Sequence, residues 1–165
     1  MKRGGRATGL PFSLWHERAS GGNGGVAVAS YWHILKSTKR FGTDRVHRIW
    51  HEERADAVVT VGYGNQPTGP GRDKLLKYRA GDRIIVYAPG FGAVAVAEAT
   101  GATPEYRPSP APDTHAHRLP VRWRATVHRL DDAVPAHAIR RAGGYVPRSL
   151  AMKLADDVRI GSRSW

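Results

Sequence analysis

The sequence predicts an α+β fold in which about five or six β-strands curl into a small, partly closed barrel flanked by short helices. Three observations carry this. β-Branched, aromatic or small apolar runs recur along the chain at Val26–Lys36, Ala57–Tyr63, Arg83–Ala88, Ala93–Thr100 and Leu119–Leu130. Between the first two runs, Arg45–Arg54 has apolar residues at helical spacing, and the other helical signals are short and lie towards the end. The strand runs follow one another with glycine turns and read as sequential antiparallel strands. At 165 residues the chain fits one domain with room for a real core, and a hydrophobic content of 41% favours a globular fold over disorder.

The elements are justified in order. Residues 1–25 are read as a flexible Gly/Arg-rich tail, because Gly4, Gly5, Gly9, Gly21, Gly22, Gly24 and Gly25 make ordering costly. The domain spans 26–160, and 161–165 form a short C-terminal tail. In the first strand, Trp32, Ile34 and Lys36 share one side and Tyr31, His33 and Leu35 the other. It delivers Lys36, Ser37 and Thr38 to its C-terminal edge. Asp44 is placed to cap the helix whose stripe is Val46, Ile49 and Trp50. Ala57–Tyr63 is a strand that breaks at Gly62-Tyr63-Gly64-Asn65, and Asp73–Tyr78 forms a helical turn or two. Gly81 and Asp82 turn into Arg83–Ala88, and Pro89, Gly90 and Gly92 turn around Phe91 into Ala93–Thr100, so these two strands make a hairpin. Gly101–His117 reads as a long surface loop. In Leu119–Leu130, Val121, Trp123, Ala125 and Val127 face one way and Arg122, Arg124 and His128 the other. Pro135–Arg141 and Ser149–Asp156 read as two closing helices, the second capped by Ser149.

Charge narrows the partners. Lys and Arg number 26 against 14 Asp and Glu, a net charge of +12, and the pI is about 10.7. A field of that sign draws polyanions, and most of the cations are arginine, which suits forked phosphate contacts and stacking. Nucleic acid is the first candidate. The sequence offers no long amphipathic basic helix for an anionic membrane and no apolar run of about 18 residues to cross one, so no membrane partner is expected. The chain has no cysteine, which excludes disulfides, thiolate metal sites and a thiol nucleophile and suits a cytoplasmic location. The N-terminus has a basic start without an apolar h-region and is not a secretory signal.

The motifs quoted above, taken together, resemble a known family. A strand ending YWHILKST, a helix carrying Trp50, a strand ending in Gly62-Tyr63-Gly64, the stretch KYRAGDRIIVYAPGFGAVAVAE and then LPVRWR are similar to the EVE and YTH-like domains of the PUA superfamily, over roughly Ser30–Asp156. The resemblance implies a PUA-like barrel and a reader of modified bases in DNA or RNA. The base would be a methylated or hydroxymethylated cytosine, or N6-methyladenine, taken flipped or unpaired into an aromatic pocket. It implies that Lys36, Ser37 and Thr38 form one lip, Tyr63 with Gly64 and Asn65 a wall and a base-edge contact, and Tyr87, Ala88, Pro89 and Phe91 the opposite lip. Relatives of the EVE type often read Lys-Ser-Glu-Pro where this chain has Lys36-Ser37-Thr38-Lys39, and many carry tryptophan at Tyr63, so a differently shaped cage is implied. Such domains often look like the recognition part of restriction or RNA-modification systems, so a partner protein in trans is implied.

The residues themselves leave choices open. Trp32 and Trp123 read as core, with the Trp123 ring nitrogen needing a partner. Trp50 fits either the core or a pocket wall, and Tyr87 either a strand end or the lip. Arg40, Arg45, Arg48 and Arg72 flank the cleft and are the expected phosphate contacts. His47 and His51 are four apart on a helix, but HRIWH lacks the glutamate of HExxH, and His115 and His117 with Asp113 read as a solvated loop. No metal and no cofactor is expected. The rival class is an ASCH-like ribonuclease, or a general RNA-binding PUA-like domain without selectivity. The GxKxxxExR arrangement of that nuclease family is absent, although Arg83 and Glu98 could meet across the hairpin. A binding module is therefore expected over an enzyme.

Overall fold

The computed structural model describes residues 28–35, 42–62, 66–108, 116–141, 144–148 and 151–154. The elements are β1 (Ser30–Ile34), α1 (Thr43–Asp56), β2 (Val58–Val61), α2 (Pro70–Leu75), β3 (Arg83–Ala88), β4 (Gly92–Ala99), β5 (Glu105–Tyr106), β6 (His117–Thr126), α3 (Ala136–Arg141) and β7 (Ala151–Lys153), with a 3-10 turn at Leu130–Asp132. The strands lie in the order β2-β6-β4-β3-β1-β7, with β5 beside β6. The fold is α+β, a curled sheet that makes a partly closed barrel with few short helices.

The hairpin of the sequence is present: β3 runs antiparallel to β4, with Arg83 opposite Glu98 and Ile85 opposite Val96. The first strand does not join it in antiparallel order. β1 runs parallel to β3, with Trp32 opposite Ile85, because α1, β2 and α2 together supply the crossover that a parallel pair requires. Asp82 fixes that pairing. Its carboxylate accepts from the backbone N–H of Ala29 at 3.0 Å and of Arg79 at 2.8 Å, so the turn into β3 also holds the start of β1.

Three further readings are corrected. Asp44 lies in the first turn of α1, and the cap is Gly42, without a side-chain cap bond. The expected second closing helix contains β7, which pairs antiparallel with β1 through Met152 opposite Trp32; Ser149 lies outside the described residues. The Gly101–His117 loop contains the short β5, and His117 itself belongs to β6.

Alternation on the strands sorts the core into two layers. Ile84, Val86 and Leu35 point into the main cluster with Val46, Ile49, Trp50, Val59, Val61, Leu75, Leu119 and Leu130. Trp32, Ile85 and Ala93 point to the outer side, where they pack with Ile139 of α3 and with Tyr87, Val134, Tyr145, Val146 and Leu154. Gly92 makes this junction possible. Its φ is +142°, and a Cβ there would lie 2.1 Å from the Val134 carbonyl oxygen, the same oxygen that accepts from Ala93 N–H at 2.9 Å.

Candidate nucleic-acid interface

β1 and β2 do not form a backbone ladder with each other; a side chain joins them. His33 is fully buried on the inner side of β1. Its Nε2 lies 3.1 Å from the Thr60 carbonyl oxygen of β2, and its Nδ1 lies 2.9 Å from the Tyr78 hydroxyl. A carbonyl can only accept, so Nε2 carries the proton, and in the neutral imidazole Nδ1 accepts from the Tyr78 O–H. Burial, and after it the neighbouring Tyr31, push the Tyr78 phenol well above its ordinary range, which keeps it a neutral donor. Tyr31 and Tyr78 meet edge-on, with ring centroids 5.1 Å apart. Thr60 then donates through its hydroxyl to Glu53 of α1, itself buried. The chain Tyr78–His33–Thr60–Glu53 thus ties β1, β2 and α1 together where the barrel closes.

This clasp sits three residues before each of the two exits of interest. Lys36, Ser37, Thr38 and Arg40 follow β1, and Tyr63, Gly64 and Asn65 follow β2; all seven lie outside the described residues. The residues that lead into them are in place. Leu35 N–H donates to the Tyr87 carbonyl at 2.8 Å, which sets the exit of β1 beside the β3–β4 turn. Phe91, in that turn, is half-buried against the main core, and its ring meets His47 of α1 edge-on at 5.3 Å. The first turns of α1 therefore lie beside the same turn. They carry Arg45, half-buried, and Arg48, exposed.

Other expected site residues are placed differently. Trp50 is a core residue, 1% exposed. Its ring packs on Trp123 at 5.8 Å, because the apolar stripe of α1 turns it inward. Of the two readings open for Trp50, core or pocket wall, its burial places it in the core. Tyr87 is half-buried on the outer side, edge-on to Trp32 at 5.9 Å, so its ring and that of Phe91 serve different layers. Ala88 is fully buried, and Pro89 is half-buried beside it. Arg72, half-buried, sits on α2. Trp123 finds the partner that its nitrogen needed, donating to the Arg54 carbonyl at 3.1 Å. His117 is 1% exposed beside Tyr106, which corrects the solvated reading; His115 and Asp113 lie outside the described residues. Among the described residues no three His, Asp or Glu side chains converge as a metal site, and no helix is long and apolar enough to cross a membrane.

Sequence reasoning missed the clasp. His33 and Glu53 are polar residues on faces that otherwise bury, and that mismatch is the signal by which a buried network could have been found.

No protein-family model and no curated protein sequence matches the chain. Two solved structures are similar in fold. One is the YTH domain of Mmi1 in complex with RNA, at a TM-score of 0.45 and 15% identity, covering 78% of this chain and 72% of that one. The other is the YTH domain-containing protein mmi1 with RNA, at a TM-score of 0.43 and 14% identity, covering 74% and 73%. Likenesses of this size assign neither a family nor a residue's role to this chain.

Proposed function

We propose that this chain is a nucleic-acid-binding module that takes an unpaired or flipped base, in RNA or DNA, between the exits of β1 and β2. The observation that carries the reading is the clasp. His33 holds β1 to β2 within a few residues of both Lys36-Ser37-Thr38 and Tyr63-Gly64-Asn65, two segments that bring hydrogen-bonding groups and an aromatic ring. The net charge of +12 supplies the attraction for phosphate.

The roles divide by chemistry. Tyr63 and Phe91 supply the rings that stack on the base; each such stack is worth about 1–3 kcal/mol and accepts any base. Ser37, Thr38 and Asn65 bond the base edge and supply the choice among bases. A methyl group seated against the rings adds about 0.8 kcal/mol by burial, so a methylated or hydroxymethylated cytosine, or N6-methyladenine, is the favoured guest. Extraction of a paired base costs a few kcal/mol, which two stacks and two or three hydrogen bonds offset. Arg40, Arg45, Arg48 and Arg72 contact phosphates, and that part of the affinity falls with salt.

The test is a titration of matched single-stranded oligonucleotides, unmodified or carrying 5-methylcytosine, 5-hydroxymethylcytosine or N6-methyladenine. One modified strand is expected to bind more tightly than its unmodified match. Tyr63→Ala should abolish that preference with a smaller loss of total affinity, and Arg48→Ala should weaken all strands alike. Equal affinities for every strand would remove the reader role and leave general binding. Cleavage of the strands by the purified protein would replace the reading with a nuclease.

A further inference from the structure

We infer that the outer side of β6 carries a second contact surface, a backbone track for single-stranded nucleic acid built from Arg122 and Arg124 and restrained by Glu98. The inference rests on the reading of the chain as a nucleic-acid binder, but not on its choice of base.

The geometry is an imbalance of charge on a short patch. Glu98 of β4 stands opposite Arg122 of β6. A register shift in that pairing, between Val96 and Ala97, leaves Arg124 as the extra residue between Trp123 and Ala125, and the bulge turns its guanidinium onto the same carboxylate. Glu98 Oε2 accepts from Arg124 Nε at 2.9 Å and also from Arg124 Nη2. Arg122 Nη1 stands 3.6 Å from Oε1, longer than a hydrogen bond. Two guanidinium groups therefore share one carboxylate. Their side chains are 65% and 51% exposed, and that of Glu98 is 30% exposed. Arg83 lies on the other side of Glu98 in the same cross-strand row, and it is already engaged in an interaction.

Chemistry picks the occupant. Exposed ion pairs contribute little to stability, so an incoming anion displaces Glu98 at small cost. The forked guanidinium matches the paired oxygens of a phosphodiester. Both guanidinium groups reach one carboxylate, so once Glu98 is displaced they stand close enough together to hold neighbouring phosphates of one extended strand. Trp123, between the two arginines, packs inward against the main core and Trp50, so this stripe offers no ring for stacking, and the contact is to backbone alone. The charge of the whole chain favours a polyanion at this face as well.

The experiment measures binding of unmodified oligo-U and oligo-dT by fluorescence anisotropy across a salt series. The proteins are the full chain, the double variant Arg122→Ala/Arg124→Ala and Glu98→Gln, each checked for folding by thermal melting. Each single-strand phosphate contact contributes about 0.7 to the slope of log affinity against log salt. The double variant is therefore expected to lose about 1.4 from that slope, and Glu98→Gln to bind several-fold more tightly at low salt. An unchanged slope in the folded double variant would overturn the track. So would polyglutamate binding that falls in the double variant while oligonucleotide binding does not, since the patch would then serve an acidic protein. A changed slope in a protein that shows no preference for modified bases upholds the track while ending the reader role.

Discussion

Two polar clusters occupy opposite sides of one sheet. On the inner side His33, Tyr78, Thr60 and Glu53 are all at most 5% exposed and hand hydrogen bonds along a line. On the outer side Glu98, Arg122 and Arg124 form ion pairs in water. The inner groups cannot return to solvent without opening the barrel, so each bond they make is one that the fold depends on. The outer groups exchange partners with water or a ligand at little cost. The difference teaches that hydrogen-bond number is a poor guide to role: burial turns the inner cluster into a structural clasp and exposure leaves the outer one available for binding.

The sharpest way to break this contrast is to cut the clasp. His33→Ala removes both bonds and leaves the Tyr78 hydroxyl and the Thr60 carbonyl buried without them. Each orphaned group costs about 1–3 kcal/mol, so a loss of roughly 3 kcal/mol is expected, read as a lower urea midpoint at an unchanged slope. A loss below about 1 kcal/mol would show that β1 and β2 hold together without the imidazole.

A smaller effect sharpens the same point through pH. Burial raises the Tyr78 phenol in the folded chain, whereas in the unfolded chain it ionises near its ordinary value of about 10. The folded state therefore holds the proton more tightly. Its contribution is complete below about pH 10 and is lost as pH rises beyond that, by up to about 1.4 kcal/mol per pH unit. Tyr78→Phe should cost about 1 kcal/mol at neutral pH and flatten that alkaline fall. Parallel stability curves for the two proteins above pH 10 would mean that the phenol reaches water.

How much of this was legible follows from where the information sits. β3 is found to the residue, Arg83–Ala88, because a β-branched run lies between a Gly-Asp turn and a Pro-Gly turn, and both signals are local. Ala151–Lys153 has the composition of a helix, and only the open edge of β1 makes it a strand; tertiary pairing overrides propensity there. The parallel setting of β1 on β3 depends on how the intervening crossover packs, which no window of sequence reports. At the site, Trp50 was left open between core and wall because one helical stripe serves both, and packing on Trp123 decides it. The clasp was hidden because His33 and Thr60 are 27 residues apart and meet only when the sheet curls. The alternation of Arg122 and Arg124 was visible, but the single carboxylate that both share comes from another strand.

The smallest predicted effect tests the outer half of the contrast. Glu98→Gln removes the negative partner of two exposed arginines. Exposed pairs are worth about 0–1 kcal/mol, and here the loss is partly offset because the glutamine amide still accepts one hydrogen bond. A change in unfolding free energy within about 0.5 kcal/mol is expected. A loss of 2 kcal/mol or more would place Glu98 beside His33 as a holder of the fold, and the distinction between a buried clasp and an exposed, exchangeable patch would fail. Salt separates the outcomes further: an exchangeable pair weakens between 50 and 500 mM because exposed charges are screened over about 10 Å or less near 0.1 M, whereas the inner hydrogen bonds, shielded from ions, do not respond.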